Sequence, residues 1–403
     1  MKQISPLPSK TYQEYREAFK GVAKPFAFVD LDYFDENVRN ILKRAGNKKI
    51  RIASKSIRCV ALMQRILSYS PQYQGIMSYC ADETVFLSQA GLDDFLIGYP
   101  IWDKNQLLAL GEEIKKGKKI TLMIDSQAHI KQIGQIGQQY QIPFRLCIDL
   151  DMSSDFWGGI HFGVFRSPVQ SPSQILALIQ EIKKYDSLQL VGLMGYEAQI
   201  AGLGTKSGDL KSRMIQFLKK KSIREIAIRR TEAVKQILQE MPDLEIVNGG
   251  GTGSLESTIQ EELITEVTVG SGFYCSGLFD NYLEFNHLPA VAYAIEITRK
   301  PKKHIFTCAG GGYVASGAIG KEKLPKPYLP LGFKLIDNEG VGEVQTPISY
   351  EGSIELNYGD PIFLRHAKAG EICERFKEFY VIENGKLQNQ TLLTYRGEGK
   401  CFV

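Results

Sequence analysis

The amino-acid sequence predicts an α/β architecture, a TIM-type (β/α)8 barrel of parallel strands, with a separate C-terminal all-β domain. Three observations carry this. From Ile50 to about Phe279, eight strand-like runs alternate with segments of helical period, as a parallel sheet with helical crossovers requires. Several of the runs, such as Phe95-Leu96-Ile97, Leu122-Met123-Ile124 and Leu190-Val191, are continuously apolar, as strands covered on both faces must be. Beyond Phe279 the helical period ceases, and period-two stretches separated by Gly, Pro and Asn turns replace it. An open, doubly wound sheet is the competing arrangement of the same elements.

Residues 1–25 read as a polar lead-in with a helical stretch at Tyr12–Phe19. The barrel domain is expected over residues 26–279. It opens on a strand at Phe26–Asp32 and a helix reaching about Ala45. Strands then begin near Ile50, Gly75, Asp94, Ile120, Phe144, Leu188, Glu245 and Glu266. A helix is expected to open at Ser56-Ile57-Arg58, with others at Ala81–Ala90, Lys104–Lys115, Ser126–Gln138, Ser173–Lys184 and Leu210–Gln239. Residues 280–403 form the β domain, with strands at Ala292–Thr298, His304–Thr307, Glu355–Leu356, Pro361–Arg365 and Phe379–Ile382.

A chain of 403 residues fits two domains, and 43% hydrophobic with 23% charged residues is ordinary for a globular protein. The net charge of +4 comes from interleaved acids and bases; the short lysine runs at 115–119, 219–221 and 300–303 carry no interleaved aromatics, so nucleic acid is not an expected partner. The first residues lack a signal-like apolar core, and no window approaches a membrane span. Seven scattered cysteines form no CxxC pair, which suits a reducing compartment. A cytoplasmic protein acting on a small molecule, away from membranes, is the expectation.

The run Lys49-Ile50-Arg51-Ile52-Ala53-Ser54-Lys55-Ser56 ends an apolar strand on a lysine. The C-terminal ends of barrel strands carry the chemistry in this architecture, and a shielded lysine there can form a Schiff base with an aldehyde cofactor. The alternative is a surface lysine among 49 basic residues. Asn248-Gly249-Gly250-Gly251-Thr252-Gly253-Ser254 follows a strand and precedes a helix, so its backbone N–H groups can approach an anion. It lacks the Gly-Lys-Ser/Thr ending of a P-loop. Gly270-Ser271-Gly272-Phe273-Tyr274 lies at the next strand end and supplies further donors. Tyr196 ends the strand from Leu188 and faces either the barrel mouth or the core. His161 sits in a Gly-rich loop after the strand near Phe144 and is either catalytic or structural. His366, Lys368, Glu371 and Cys373 gather after a β-domain strand without a recognised zinc spacing.

In order and spacing this set resembles the fold-type III pyridoxal-phosphate enzymes, the alanine racemase-like barrels, and within them the D-threonine aldolase and D-serine dehydratase branch. The resemblance runs from Phe26 to Tyr395. It implies that Lys55 is the Schiff-base lysine, that Gly250, Gly251, Thr252 and Gly253 form the phosphate loop, and that Tyr274 and Tyr196 belong to cofactor-contacting segments. It places His161 where relatives carry an arginine near the pyridoxal ring. It implies a lyase acting on a β-hydroxy D-amino acid, by aldol cleavage or dehydration. The alternatives are an amino-acid racemase, whose second acid/base would be a β-domain tyrosine such as Tyr313 or Tyr358, or a non-catalytic pyridoxal-phosphate-binding protein. A homodimer is the implied assembly. In one place the pattern departs from the branch, whose members hold a divalent metal with a His-x-Cys or His-x-Asp pair. Here the segment reads His366-Ala367-Lys368, and a protonated lysine is no metal ligand. Either Glu371 or Cys373 is the second ligand, or His366 and Lys368 hold the substrate directly.

Overall fold

Eight parallel strands close into a barrel in the computed structural model, which describes residues 9–156, 158–202, 204, 210–318 and 320–402. The first eight residues of the lead-in lie outside the described ones. Strand β1 (Phe26–Asp30) precedes the barrel. The ring begins with β2 (Lys49–Ala53), β3 (Tyr73–Ser78), β4 (Phe95–Pro100), β5 (Ile120–Ile124) and β6 (Phe144–Asp149). A two-stranded hairpin, β7 (Ser154–Phe156) and β8 (Ile160–Phe162), interrupts it. Then β9 (Leu188–Gly195), β10 (Ile246–Gly249) and β11 (Glu266–Val269) close the ring, with β11 hydrogen-bonded to β2. Each barrel strand begins within two residues of its expected start, because buried parallel strands betray themselves as unbroken apolar runs.

The second region is one nine-stranded sheet. Its later strands are β12 (Val291–Lys302), β13 (Ile305–Ala309), β14 (Lys326–Leu329), β15 (Lys334–Leu335), β16 (Gln345–Ser349), β17 (Pro361–Arg365), β18 (Glu378–Glu383) and β19 (Lys386–Leu393). The ninth member is β1, which pairs antiparallel with β12 and parallel with β18. A segment from the start of the chain thus completes the C-terminal sheet. The lead-in joins it: Thr11 caps the helix Tyr12–Ala18 in a capping box with Glu14, and Tyr15 and Phe19 pack on Phe28 at 5.0 and 4.9 Å between ring centroids.

Several local expectations differ: the first strand ends at Asp30 instead of Asp32, and the β7–β8 hairpin and the strands β14, β15 and β16 form where none was expected. Glu355–Leu356 is not a strand: the turn at Asn357-Tyr358-Gly359-Asp360, with Gly359 at φ 80°, reverses the chain at once and leaves the dipeptide no ladder partner. β19 was not expected, since its polar sequence lacks the alternating pattern; pairing with β18 makes it a strand. The helix expected from Ser56 begins at Val60, after a 3-10 turn at Ser54–Ser56 and a left-handed Arg58 (φ 49°) that breaks the helical path. No helix among the described residues is long and apolar enough to cross a membrane.

A charged layer crosses the barrel interior beneath the strand ends. Arg51 on β2, 1% exposed, forks onto Glu266 of β11 with bonds of 2.7 and 2.9 Å, and its Nη1 donates to the Asp94 carbonyl at 2.6 Å. Asn248 of β10 donates to the same Glu266 carboxylate at 2.8 Å. Room for the guanidinium is made by Gly75 (φ 65°), where a Cβ would stand 2.3 Å from Arg51 Nη1. A buried fork of this kind is worth little in net terms, but removing one partner strands the other charge. Glu266→Gln is therefore expected to lower the unfolding free energy by about 3–5 kcal/mol. Denaturant titration checks this, and an unchanged midpoint would show that the layer carries no such burden.

Candidate active site

Lys55 stands on the 3-10 turn that follows β2, at the C-terminal mouth of the barrel. The mouth opens into a cavity of about 1040 Å³, walled on one side by barrel loops and on the other by the nine-stranded region. The glycine-rich segments converge here. Gly250 (φ 85°), Gly251 and Thr252 line the cavity together with Gly270, Ser271 and Ser56. A Cβ on Gly251 would lie 2.8 Å from the Ala201 Cβ, and one on Gly270 would lie 2.7 Å from the Ser56 Cβ. Both positions need glycine for the backbone to come so close. Thr252 Oγ1 accepts from the Gly272 N–H at 3.0 Å and so ties the two loops together. From outside the barrel, Arg44 donates to the Thr252 carbonyl at 2.6 Å and to Glu256.

Around Lys55 the structure gathers two residues that the sequence reading passed over. Lys55 Nζ lies 3.4 Å from the Tyr99 hydroxyl at the end of β4. The Arg166 guanidinium stands 4.9 Å from the Tyr99 ring centroid and 5.8 Å from that of Tyr196, and its Nε donates to Asp149 at 2.7 Å. Burial raises the Tyr99 phenol, but Lys55 and Arg166 outweigh it and the net shift is downward. Tyr196, without that lysine, is pushed up to about 12 by burial. Burial also lifts Asp149 to about 6, against the pull of Arg166. A signal for Tyr99 existed in its place at a strand end. Arg166 lies in the same loop as His161, five residues on.

Of the other expected residues, Tyr196, His366 and Lys368 line the cavity. His161, Tyr274 and Gly253 do not. His161 is held in the β7–β8 hairpin, with Nδ1 2.8 Å from Asp155 and its ring stacked on Phe165 at 4.1 Å. From the same loop it is Arg166, and not His161, that lines the cavity. Tyr274 is fully buried beneath the Lys55 turn and donates to the Ile57 carbonyl at 2.6 Å. Gly253 faces the Ala201 carbonyl behind the loop.

His366 follows β17 and is 3% exposed, and neither of its ring nitrogens has a hydrogen-bond partner. Burial, followed by Arg365, lowers its pKa to about 3, so the ring is neutral near pH 7. Lys368 is half-buried; its pKa is lowered by burial and by Lys323 and Lys55, against an opposing Glu371. The two alternative metal ligands are otherwise engaged. Glu371 accepts from Ser316 N at 3.0 Å and from the Ser316 hydroxyl, and Cys373 Sγ lies 3.2 Å from the Ile57 carbonyl. Among the described residues no three His, Cys, Asp or Glu side chains gather as a metal site. The donor set therefore does not fit a protein-held divalent ion.

Solved structures with this fold include D-threonine aldolase from Filomicrobium marinum, 15% identical with a TM-score of 0.77, covering 93% of this chain and 96% of that one. D-threo-3-hydroxyaspartate dehydratase from Delftia sp. HT23 is 17% identical at a TM-score of 0.73, covering 93% and 98%. Alanine racemase of Clostridium difficile 630, in complex with cycloserine, is 16% identical at 0.62, covering 93% and 100%. At such identities the likeness is one of fold, an alanine racemase-like barrel joined to a β domain. Residues 29–276 match the alanine racemase N-terminal domain, and the chain belongs to that family. In sequence it is 22% identical over 259 residues to a D-threonine aldolase of Arthrobacter sp., a match spanning 64% of this chain and 62% of that protein, so the chain covers less than two thirds of that relative's length.

Beneath the Lys55 turn, the buried Glu83 carboxylate accepts from Tyr395 Oη at 2.7 Å and Tyr79 N at 2.9 Å. Burial, opposed by these bonds, pushes it up to about 7. A carboxyl raised in the fold binds its proton more tightly folded than unfolded. Its contribution is therefore fully present below the unfolded value near 4.5 and is lost as pH rises through about 7. Glu83→Gln should abolish that loss. The melting temperature of the native chain is expected to fall relative to the variant by several degrees between about pH 5 and 8. Parallel melting curves across that range would refute the assignment.

Proposed function

We propose that this protein is a pyridoxal-phosphate-dependent lyase acting on a β-hydroxy D-amino acid, by aldol cleavage or dehydration. The observation that carries the reading is the meeting of Lys55, the glycine loops and the His366–Lys368 segment around one cavity. A mere carrier of the cofactor has no need of a second wall facing the strand ends. The residues present fit the cofactor: Lys55 Nζ would hold its aldehyde carbon, and the backbone of Gly250, Gly251, Thr252, Gly270 and Ser271 would cradle its phosphate. Arg166 and Tyr196 would flank the ring. When bound, pyridoxal phosphate acts as an electron sink for bonds broken at the substrate's Cα.

The chain's own groups supply the proton handling. The Lys55 amine would take or return a proton at the substrate's Cα, and Tyr99 beside it is the group placed to share that proton. His366 is too weakly basic to carry a proton at neutral pH; its unpartnered nitrogens instead suit a hydrogen bond from the substrate hydroxyl. Lys368 suits a substrate carboxylate through a charge-assisted bond. Since the metal donor set does not fit, no step is assigned to a metal. A racemase reading draws on Tyr313, which lines the cavity from the β domain, whereas Tyr358 does not.

Lys55→Ala is expected to lose the visible absorption of the cofactor-loaded protein and all turnover, and borohydride should fix the label on Lys55; a label on another lysine would sink the assignment. Gly251→Val should weaken cofactor affinity roughly tenfold or more by blocking backbone approach to the phosphate. Equilibrium dialysis measures this, and unchanged affinity in a folded variant would move the phosphate elsewhere. Incubation with D- and L-forms of β-hydroxy amino acids should release carbonyl products from the D-forms. Inversion without carbonyl release would favour the racemase.

A further inference from the structure

The far wall of the cavity carries two positive charges, Lys323 and Lys368, and the single substrate carboxylate of the proposed chemistry brings only one negative charge to them. Lys323 lies in a 3-10 turn, Lys321–Lys323, whose backbone is pinned to the wall by the Ala315 N–H donating to the Lys323 carbonyl at 2.9 Å. Lys368 comes from the segment after β17. Both ammonium nitrogens fall within 3.5 Å of the point where a Cβ on Gly317 would stand, so they are less than about 7 Å apart, a range at which like charges repel appreciably. Nothing nearby relieves them well. Among the described residues Lys323 has only Glu322, at 3.9 Å, and Lys368 has no ion-pair partner; Glu371, the closest candidate, is hydrogen-bonded by Ser316. Of the other cations lining the cavity, Arg375 is exposed to solvent, and the two remaining arginines are paired. Arg166 is matched by Asp149 and Arg58 by Glu374.

From this imbalance we infer that Lys323 and Lys368 form a subsite for an anionic group on the substrate's side chain, in addition to its α-carboxylate. The inference rests on the reading of the cavity as an amino-acid site. Its physical reason is charge matching: a single α-carboxylate brings one negative charge against two ammonium groups, whereas a β-hydroxy amino acid with a carboxylate or phosphate on its side chain brings at least two. Lysines suit either anion, since each acts as a compact point charge without the planar fork of arginine.

Three 2-hydroxy acids that cannot react test this by calorimetry on the cofactor-incubated protein, with chelator present. Lactate offers one carboxylate, malate adds a second, and 3-phosphoglycerate adds a phosphate. The expected result is binding of malate, 3-phosphoglycerate or both at least tenfold tighter than lactate, and the tighter of the two identifies the anion. Lys323→Gln should narrow the gap, and Lys323→Gln with Lys368→Met should close it. Equal affinity for all three, or a gap that survives the double substitution, would overturn the subsite. Loss of the cofactor reading would show separately as a protein that takes up no pyridoxal phosphate, with the titration still read on the protein as purified.

Discussion

The turn Ser54–Arg58 is clasped from both domains, and the cavity depends on that clasp. Gly370, in the segment after β17, lies so close to it that a Cβ would stand 2.0 Å from the Lys55 carbonyl oxygen. Arg58 Nε donates to that same carbonyl at 3.0 Å, while its guanidinium pairs with Glu374. Tyr274 Oη donates to the Ile57 carbonyl and Tyr395 N to the Arg58 carbonyl at 2.9 Å. The backbone groups of a turn left unpaired by any helix or strand are thus satisfied by partners hundreds of residues away. The left-handed backbone of Arg58, uncommon for a residue with a side chain, is held in place by the same set. Lys55 is positioned by two domains at once, so neither can shift without moving it.

The helix Leu31–Arg44 braces this arrangement from the other side. It leaves β1 under an Asp30 cap and crosses to the barrel. Asn37 near its middle donates to the carbonyls of Phe273 and Leu288 and accepts from the Leu288 N–H at 2.8 Å, spanning the junction where barrel becomes β domain. Arg44 at its end reaches Thr252 and Glu256, stacks on Phe285 at 4.0 Å, and meets the buried His287, whose pKa falls to about 3 through burial and then the guanidinium. A single helix therefore ties the glycine loop to the domain boundary. Below it, the Arg230 guanidinium pairs with the buried Glu197, which also accepts from Ser254 at the end of that loop. The candidate phosphate cradle is accordingly backed by charged groups paired with one another, as buried charges must be to be tolerated, with Arg230 Nε alone of that guanidinium's nitrogens left without a partner among the described residues.

The electrostatic character of the cavity follows from which charges are matched. Arg166 and Arg58 have close carboxylate partners and act as fixed scaffolding, with Arg166 also lowering Tyr99. Lys323 and Lys368 do not, and burial lowers Lys368 further. In a partly dehydrated cavity an unmatched ammonium is a strong determinant of what can enter. His366 contributes the opposite property, a neutral ring with two free acceptor-or-donor positions, because burial suppresses its protonation.

The sequence by itself determined the periodic elements and the residues whose identity depends on local backbone geometry. The eight barrel strands were legible because each is an apolar run of the length a covered strand needs, and the loops at Gly250–Gly251 and Gly270 because glycine clusters at strand ends mark close backbone approach. Lys55 was legible as the residue on which a buried strand ends. Only the tertiary structure decided the rest, since it turns on contacts between distant segments. β1 gives no sign in Phe26-Ala27-Phe28-Val29-Asp30 that its partners are β12 and β18 rather than a barrel strand, because an all-buried strand reads the same in either sheet. His161 and Arg166 share one loop, and which of them reaches the cavity depends on how the β7–β8 hairpin folds back. Tyr274 lies in the expected loop yet points beneath the Lys55 turn, and Lys323 meets Lys368 through a connection between two strands that local sequence leaves open. Local propensity and periodicity act over a few residues; the direction of a loop side chain is set by what the remainder of the chain brings against it.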